Sequence, residues 1–295
     1  MVRRAFRVLL FAFLCVAPVV LYAQGDYLDI YIAQVKPDKV SDFNALARKA
    51  VDANRRYNGD HWLTEYVMYG ENDKYIFASV RQNYADVDKA SDAFMNSLSK
   101  AYGKDAAEKM MHDWDSCLIS SHTELRKRRP DLSRKFPADM TAYAKLIGSS
   151  KVLRSTAVHV RPGRGPDFEA LLKEAQAVAE KAENTQPLLV SQAIEGTKGT
   201  TYYVTALRSG LDGFDKNPTI REVLGDEGYK KYLQGIADTV ETSESMILRF
   251  APDLSNPPEE IVAAAPEFWQ TKPIVATKSK PKSAGEKAAA EKPKQ

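Results

Sequence analysis

The chain has 295 residues, of which 44% are hydrophobic and 27% charged, and its 42 basic and 39 acidic residues give a formal net charge of +3. That length and apolar content allow one sizeable core or two small ones. Between residues 24 and 270 there are 32 basic and 37 acidic residues, and the C-terminal basic run carries no aromatics for base stacking, which argues against nucleic-acid recognition.

The N-terminus places Arg3, Arg4 and Arg7 ahead of an apolar run from Val8 to Ala23, the layout of a secretory signal peptide. The sequence therefore predicts a signal over 1–23, a mature chain beginning near Gln24, and export to the periplasm or the medium. Leu21, three positions before that cut, is bulkier than the usual small residue, so retention as a signal anchor stays open; Pro18 argues against a stable spanning helix. Removal of the signal takes away Cys15 and leaves Cys117 as the only cysteine, so no intramolecular disulfide can form.

Two stretches of the chain then read alike. Gln34-Val35-Lys36-Pro37 and Asp42-Phe43-Asn44-Ala45-Leu46 return as His159-Val160-Arg161-Pro162 and Asp167-Phe168-Glu169-Ala170-Leu171 at an offset of 125. Tyr75 to Arg81 matches Tyr202 to Arg208 at an offset of 127, and Pro130-Asp131-Leu132-Ser133 matches Pro252-Asp253-Leu254-Ser255 at 122. Three blocks in one order predict an internal duplication, with copies over 24–133 and 152–255.

Within each copy the periods follow in order. Tyr27 to Lys36 is β-rich and stopped by Pro37. Phe43, Leu46, Ala47, Ala50 and Val51 have helical spacing, as do Phe168, Leu171, Leu172, Ala175 and Val178. Trp62 to Tyr69 and Tyr75 to Arg81 read as a hairpin around Gly70-Glu71-Asn72-Asp73, and Gly196-Thr197-Lys198-Gly199 supplies the corresponding turn. A second helix is expected from Ala107, Met110, Met111 and Trp114, or from Tyr229, Tyr232, Leu233, Ile236 and Val240. A last strand runs from about Cys117 to Arg126, or from Ser243 to Phe250.

The order β-α-β-β-α-β is the ferredoxin-like split βαβ arrangement, whose sheet leaves one face to be covered. Two such units in tandem predict an α+β fold with a pseudo-twofold barrel inside one chain, hence a monomer containing an internal pseudo-dimer. In element order, over 27–133 and 152–255, the chain resembles the dimeric α+β barrel superfamily, which includes antibiotic-biosynthesis monooxygenase-like and NIPSNAP-like proteins. The resemblance implies the fold; some relatives are cofactor-free monooxygenases or haem-handling enzymes, and no local motif here carries their catalytic residues across.

A connector over 134–151 holds Tyr143, Ala144, Leu146 and Ile147 and predicts a short helix. An extension over 256–270 has a helix start at Pro257-Pro258-Glu259-Glu260, with Phe268 and Trp269 pinning it to the body. The tail, 271–295, has seven lysines, two glutamates and no aromatic, a composition of disorder, with weak contact to anionic envelope polymers as its functional reading.

Candidates for chemistry are few. The four histidines His61, His112, His122 and His159 have no metal-ligand spacing, so neither a metal nor a cofactor is expected. Cys117 lies in an apolar run suited to an inert buried thiol, and His112 with Asp113 is expected to face solvent while Trp114 faces the core. Alternation puts Trp62, Thr64, Tyr66 and Met68 on one strand face and Tyr75, Phe77, Ser79 and Arg81 on one face of its partner. Trp62, Tyr66, Tyr75, Arg81 and His122 are therefore the candidate wall of a pocket for a small apolar or aromatic ligand, the ordinary alternative being core packing. Gln34 with His122 and His159 with Glu244 are candidate cross-strand polar pairs inside the barrel. The sequence thus favours a non-catalytic, exported module that binds a small ligand or a partner protein, with a cofactor-free monooxygenase or haem-handling enzyme as the alternative.

Overall fold

The β-rich run after Asp26 alternates buried and open side chains and forms β1 (Tyr27–Val35), which a 3-10 turn opened by Pro37 terminates. This computed structural model describes residues 26–181, 186–216 and 218–270; the expected signal over 1–23 and the expected disordered tail over 271–295 lie outside them. α1 (Val40–Tyr57) follows, burying Phe43, Ala47, Ala50 and Val51 along one stripe and ending at Asn58 in the left-handed region with φ 50°. β2 (Leu63–Tyr69) and β3 (Lys74–Arg81) form the hairpin expected around Gly70.

Two helices then stand where one was expected. α2 (Tyr84–Tyr102) is capped by Asn83, whose side chain accepts from the Asp86 amide, and α3 (Lys104–Ser116) carries the Ala107–Met110 face. Gly103, at φ 88°, makes the break between them, a conformation costly for any residue with a Cβ. β4 (Leu118–Arg128) closes this half.

After the connector helix α4 (Met140–Gly148), the second half repeats the order with β5 (Val152–Val160), α5 (Gly165–Lys181), β6 (Leu189–Glu195), β7 (Thr200–Arg208), the single turn α6 (Asp212–Asp215), α7 (Ile220–Thr239) and β8 (Val240–Phe250). Two expectations need correction here. Val240 opens β8 rather than lying on the α7 face, and Leu233 is 47% exposed. α7 kinks at Gly225 (φ 67°, ψ 171°), before the stripe begins, and the helix ends at Thr239, so Val240 falls to the strand.

All eight strands close into one antiparallel barrel in the order β1-β3-β2-β8-β5-β7-β6-β4. Each half supplies four neighbouring strands, and the halves join along two seams, β2 with β8 and β4 with β6. The protein is thus a mixed α+β fold around a closed eight-stranded barrel, with no strand edge left open among the described residues.

Outside the barrel the helices cover the even- or odd-numbered face of each strand. Phe43 packs against Tyr75, Trp114 and Phe77 at centroid distances of 5.0, 4.3 and 6.3 Å, and Phe168 packs on Tyr202 at 5.1 Å. The extension forms α8 (Glu259–Ala264) and α9 (Pro266–Trp269), which lie against α4 at the barrel. Trp269 is buried and its indole N–H donates to the Gly148 carbonyl at 2.8 Å, which fixes the chain end to the connector as expected. The halves are also tied by Trp62, whose indole N–H donates to the Leu254 carbonyl at 2.8 Å, and by Thr64, whose hydroxyl donates to the same oxygen at 2.6 Å.

Candidate functional site

Strand alternation gives every barrel strand a helix face and a lumen face. Six of the eight lumen faces hold mainly apolar side chains: Leu28 and Ile30 on β1, Leu63 on β2, Ile76 on β3, Leu153 on β5, Leu207 on β7 and Leu248 and Phe250 on β8 cluster there. Ser155, Ser191 and Thr205 add hydroxyls, and ionisable groups come from two strands. β4 sends Glu124, Arg126 and Arg128 inward, all under 9% exposed, and β2 sends in Glu65 between Leu63 and Val67.

The β4 row is held from both sides. Glu124 accepts from Arg126 Nε at Oε2 (2.7 Å) and from the Tyr203 hydroxyl at Oε1 (2.9 Å), and His122 Nε2 lies 3.1 Å from the same Oε1. Burial pushes the Glu124 carboxyl up, but the Arg126 charge and the donated hydrogen bonds outweigh it and hold the group below the usual range. The Arg126 guanidinium lies 3.3 Å from the Tyr203 ring centroid. Arg128 lies between the rings of Tyr143 and Phe136, at 4.2 and 4.8 Å, so that burial lowers its pKa.

Arg126 and Arg128 border a cavity of about 540 Å³ inside the barrel, roofed by Met140, Tyr143 and Ile147 of α4 and by Ile261 of α8. Its size suits a small organic ligand. His61, Gln82, Thr141 and Glu260 line it too and are exposed, which marks its mouth. Glu65 opens onto this cavity, and its carboxylate accepts no hydrogen bond among the described residues. Burial raises its pKa to about 7, with Arg126 acting in the opposite direction. A carboxyl poised near neutrality in an apolar chamber can take or give a proton at physiological pH.

The residues singled out from sequence divide between the two faces. Trp62 and Arg81 border the barrel cavity at its rim and also line a second cavity, of about 360 Å³, between the sheet and α1, α2 and α3. There Tyr31, Phe77, Trp114 and Met110 supply apolar walls, with the Trp114 indole donating to the Tyr31 hydroxyl at 3.1 Å. Arg81 is fully engaged, donating to both carboxylate oxygens of Asp60 at 2.8 Å and to Asp29 at 3.2 Å. Burial opposes its charge, and the two carboxylates more than offset that and raise its pKa. Tyr66 and Tyr75 line neither cavity; both pack under the helices with Phe43 and Ala47. His122 faces the lumen but is exposed beyond the cavity.

The proposed polar pairs meet other partners. β1 and β4 pair Gln34 with Ser120 and Ile32 with His122, while β5 and β8 pair His159 with Thr242 and Ala157 with Glu244. Each pair is therefore diagonal on one face, two residues out of register. Gln34 instead donates to the Asn72 carbonyl at 2.7 Å, His122 stays with Glu124, and His159 Nδ1 lies 3.0 Å from the Thr201 hydroxyl. Cys117 is buried beside the Asp113 carbonyl, His112 is exposed, and Asp113 accepts from Lys109.

No family model matches the chain, and no curated protein matches it. Solved structures that resemble it include an anthrone oxidase-like protein, at 10% identity and a TM-score of 0.48, covering 77% of this chain and 92% of the other. A chlorite dismutase from Candidatus Nitrospira defluvii, in complex with imidazole, has 10% identity and a TM-score of 0.44, covering 82% and 95% of the two chains. A haem-binding protein from Thermus thermophilus has 12% identity and a TM-score of 0.43, covering 84% and 96%. At these distances no residue role passes from them to this chain.

For haem, the histidine and cysteine donors that the two cavities offer are few, although Met140 and Tyr143 line the first and Tyr31 and Met110 the second. The only histidine lining either cavity is His61 at the rim, its Nδ1 3.2 Å from the Asn256 carbonyl, and no cysteine lines them. Among the described residues no group of three His, Cys, Asp or Glu side chains is placed to hold a metal ion.

Proposed function

We propose that this chain is a small-molecule binding protein whose ligand, compact and mostly apolar with one weakly acidic group, occupies the barrel cavity. The observation that carries the reading is Glu65: a carboxyl without a hydrogen bond, opening onto an apolar chamber of about 540 Å³ that also holds Arg126 and Arg128. A ligand hydroxyl or carboxyl entering there passes its proton to Glu65 and leaves its anion facing the arginines, so the charge of the chamber stays constant.

The two halves belong to this reading as copies of one ferredoxin-like unit. The matched sequence blocks support it, as do the paired bridges Trp62–Asn256 and Arg134–Leu188, which fall at equivalent positions of the two halves. Export, and contact of the basic tail with anionic envelope polymers, are proposals from residues 1–23 and 271–295, tested by cell fractionation of the full and tail-truncated chains.

Calorimetric titration with 1-naphthol, an apolar bicycle with one acidic hydroxyl, tests the site. Saturable binding weakened about tenfold by Glu65→Gln is the expected result. Binding indifferent to Glu65→Gln removes the role of that carboxyl. Absence of any bound compound by native mass spectrometry, together with no binding of 1-naphthol, removes the site.

A second reading, a cofactor-free monooxygenase, draws on the same carboxyl. With a pKa near 7, Glu65 is suited to remove a proton from an activated C–H or O–H of the ligand, the step that prepares such a substrate for dioxygen. Oxygen consumption with an anthrone-type substrate, abolished by Glu65→Gln, distinguishes it from binding alone.

A further inference from the structure

The second half has its own space between sheet and helices, a cavity of about 290 Å³ lined by Leu188, Val204, Phe214, Ile220 and Val223 together with three arginines, Arg134, Arg154 and Arg208. Its charge is the reverse of the first half. At the offsets that align the copies, Arg208 corresponds to Arg81, Arg154 to Asp29 and Gln186 to Asp60. The arginine that is held by two carboxylates in the first half is thus surrounded by further arginines in the second.

No ion pair to Arg134, Arg154 or Arg208 forms among the described residues. Glu180 attracts Arg134 without pairing with it. Arg208 gives hydrogen bonds to the carbonyls of Leu207 at 2.6 Å and Gly213 at 3.2 Å, and Arg134 to that of Gln186 at 2.9 Å. These carbonyls orient the guanidinium groups and neutralise none of them. Arg154 donates no hydrogen bond to a described residue; its guanidinium lies 4.6 Å from the Phe214 ring centroid, with Arg208 at 5.5 Å from the same ring. Burial, then repulsion from Arg134 and Arg154, lowers the Arg208 pKa, and among the described residues no carboxylate pairs with the three arginines.

We propose that Arg134, Arg154 and Arg208 bind the dianionic end of a phosphate monoester whose apolar body lies against Leu188, Ile220 and Val223. Guanidinium forks match phosphate oxygens and lose less hydration than ammonium groups, and the apolar wall gives the body of the ester a place that free phosphate cannot use. The site is separate from the barrel cavity and does not depend on Glu65.

Calorimetry of the full chain at low ionic strength with phenyl phosphate, inorganic phosphate and phenol tests the assignment. Phenyl phosphate is expected to bind saturably and at least about tenfold more tightly than inorganic phosphate, any phenol bound in the barrel cavity should be indifferent to Arg154→Asp, and the phenyl phosphate affinity should fall as salt is added. Arg154→Asp, which copies the first half onto an exposed side chain, should abolish the binding while the circular dichroism spectrum stays native; Arg134→Gln should weaken it about tenfold. Glu65→Gln should leave it unchanged, which separates this site from the barrel cavity. Failure of phenyl phosphate to bind overturns the proposal. So does equal affinity for inorganic phosphate, and so does binding that survives Arg154→Asp and Arg134→Gln together.

Discussion

Arg81 and Arg208 occupy the same place in the two halves, on the helix face at the end of a hairpin strand, yet one is enclosed by carboxylates and the other by guanidinium groups. The barrel lumen shows the same divergence: Glu124, Arg126 and Arg128 on β4 correspond to Met246, Leu248 and Phe250 on β8. One backbone plan therefore tolerates opposite electrostatics as long as each buried charge finds compensation nearby. Where no ion pair forms among the described residues, as around Arg208 and Glu65, a ligand is the natural place to look for one.

The largest test of this contrast is to remove each arginine. Arg81→Ala leaves Asp29 and Asp60 facing each other without a cation, a loss expected to cost about 3–5 kcal/mol in denaturant unfolding. Arg208→Ala removes a self-repelling charge along with its carbonyl hydrogen bonds and is expected to cost about 1 kcal/mol or less. Equal losses would break the comparison.

Glu65 gives the next effect. Its native pKa of about 7 lies above the ordinary 4.5, so between those values the native protein binds more protons than the unfolded chain. Stability contributed by the protonated carboxyl is complete below pH 4.5, declines as pH rises and is lost above 7. Glu65→Gln should therefore match the parent at pH 4 and exceed it at pH 8 by something on the order of 2–3 kcal/mol. Parallel stability profiles would show that Glu65 reaches solvent more freely than the fold suggests.

Trp62 stands where the second half has Leu188. Trp62→Leu gives up the indole hydrogen bond to Leu254 and part of the buried ring, and chemical denaturation should show a loss of about 2 kcal/mol. The smallest expected change is a gain: Arg154→Asp, by creating an exposed pair with Arg208, should stabilise by less than about 1 kcal/mol, visible as a small rise in melting temperature that added salt removes.

The barrel was legible in the sequence because its signals are local and repeated: strand alternation, the two hairpin turns, and the helix stripes led by Phe43 and Phe168. The break between α2 and α3 was less so, since Gly103 interrupts one helical region without changing its composition. The sequence candidates divide between the two strand faces, Trp62 and Arg81 reaching the rim of the proposed chamber and Tyr66 and Tyr75 packing under the helices. Trp62, Tyr66 and Tyr75 drew attention because they are large, but aromatic size marks the densely packed helix side. The useful signal was Glu65, a lone carboxylate between Leu63 and Val67, and the inward row of β4. Neither announces its meaning until closure brings Arg126 to the same chamber as Glu65. The diagonal offset of Gln34 and His159 from their expected partners has a similar origin, since the register of β1 on β4 and of β5 on β8 is set by pairing along the whole strands, which composition does not encode.

The two seams, β2 with β8 and β4 with β6, carry a consequence for ancestry and design. A barrel assembled from two identical separate chains would have to show its β4 strand twice, placing four arginines and a second pair of carboxylates in one chamber, or not at all. Covalent linkage lifts that restriction, because one half can keep an apolar strand while the other becomes ionic. The linker thus gives the molecule permission to be lopsided inside, with arginines on β4 and a carboxyl on β2 offering an occupant two unlike walls.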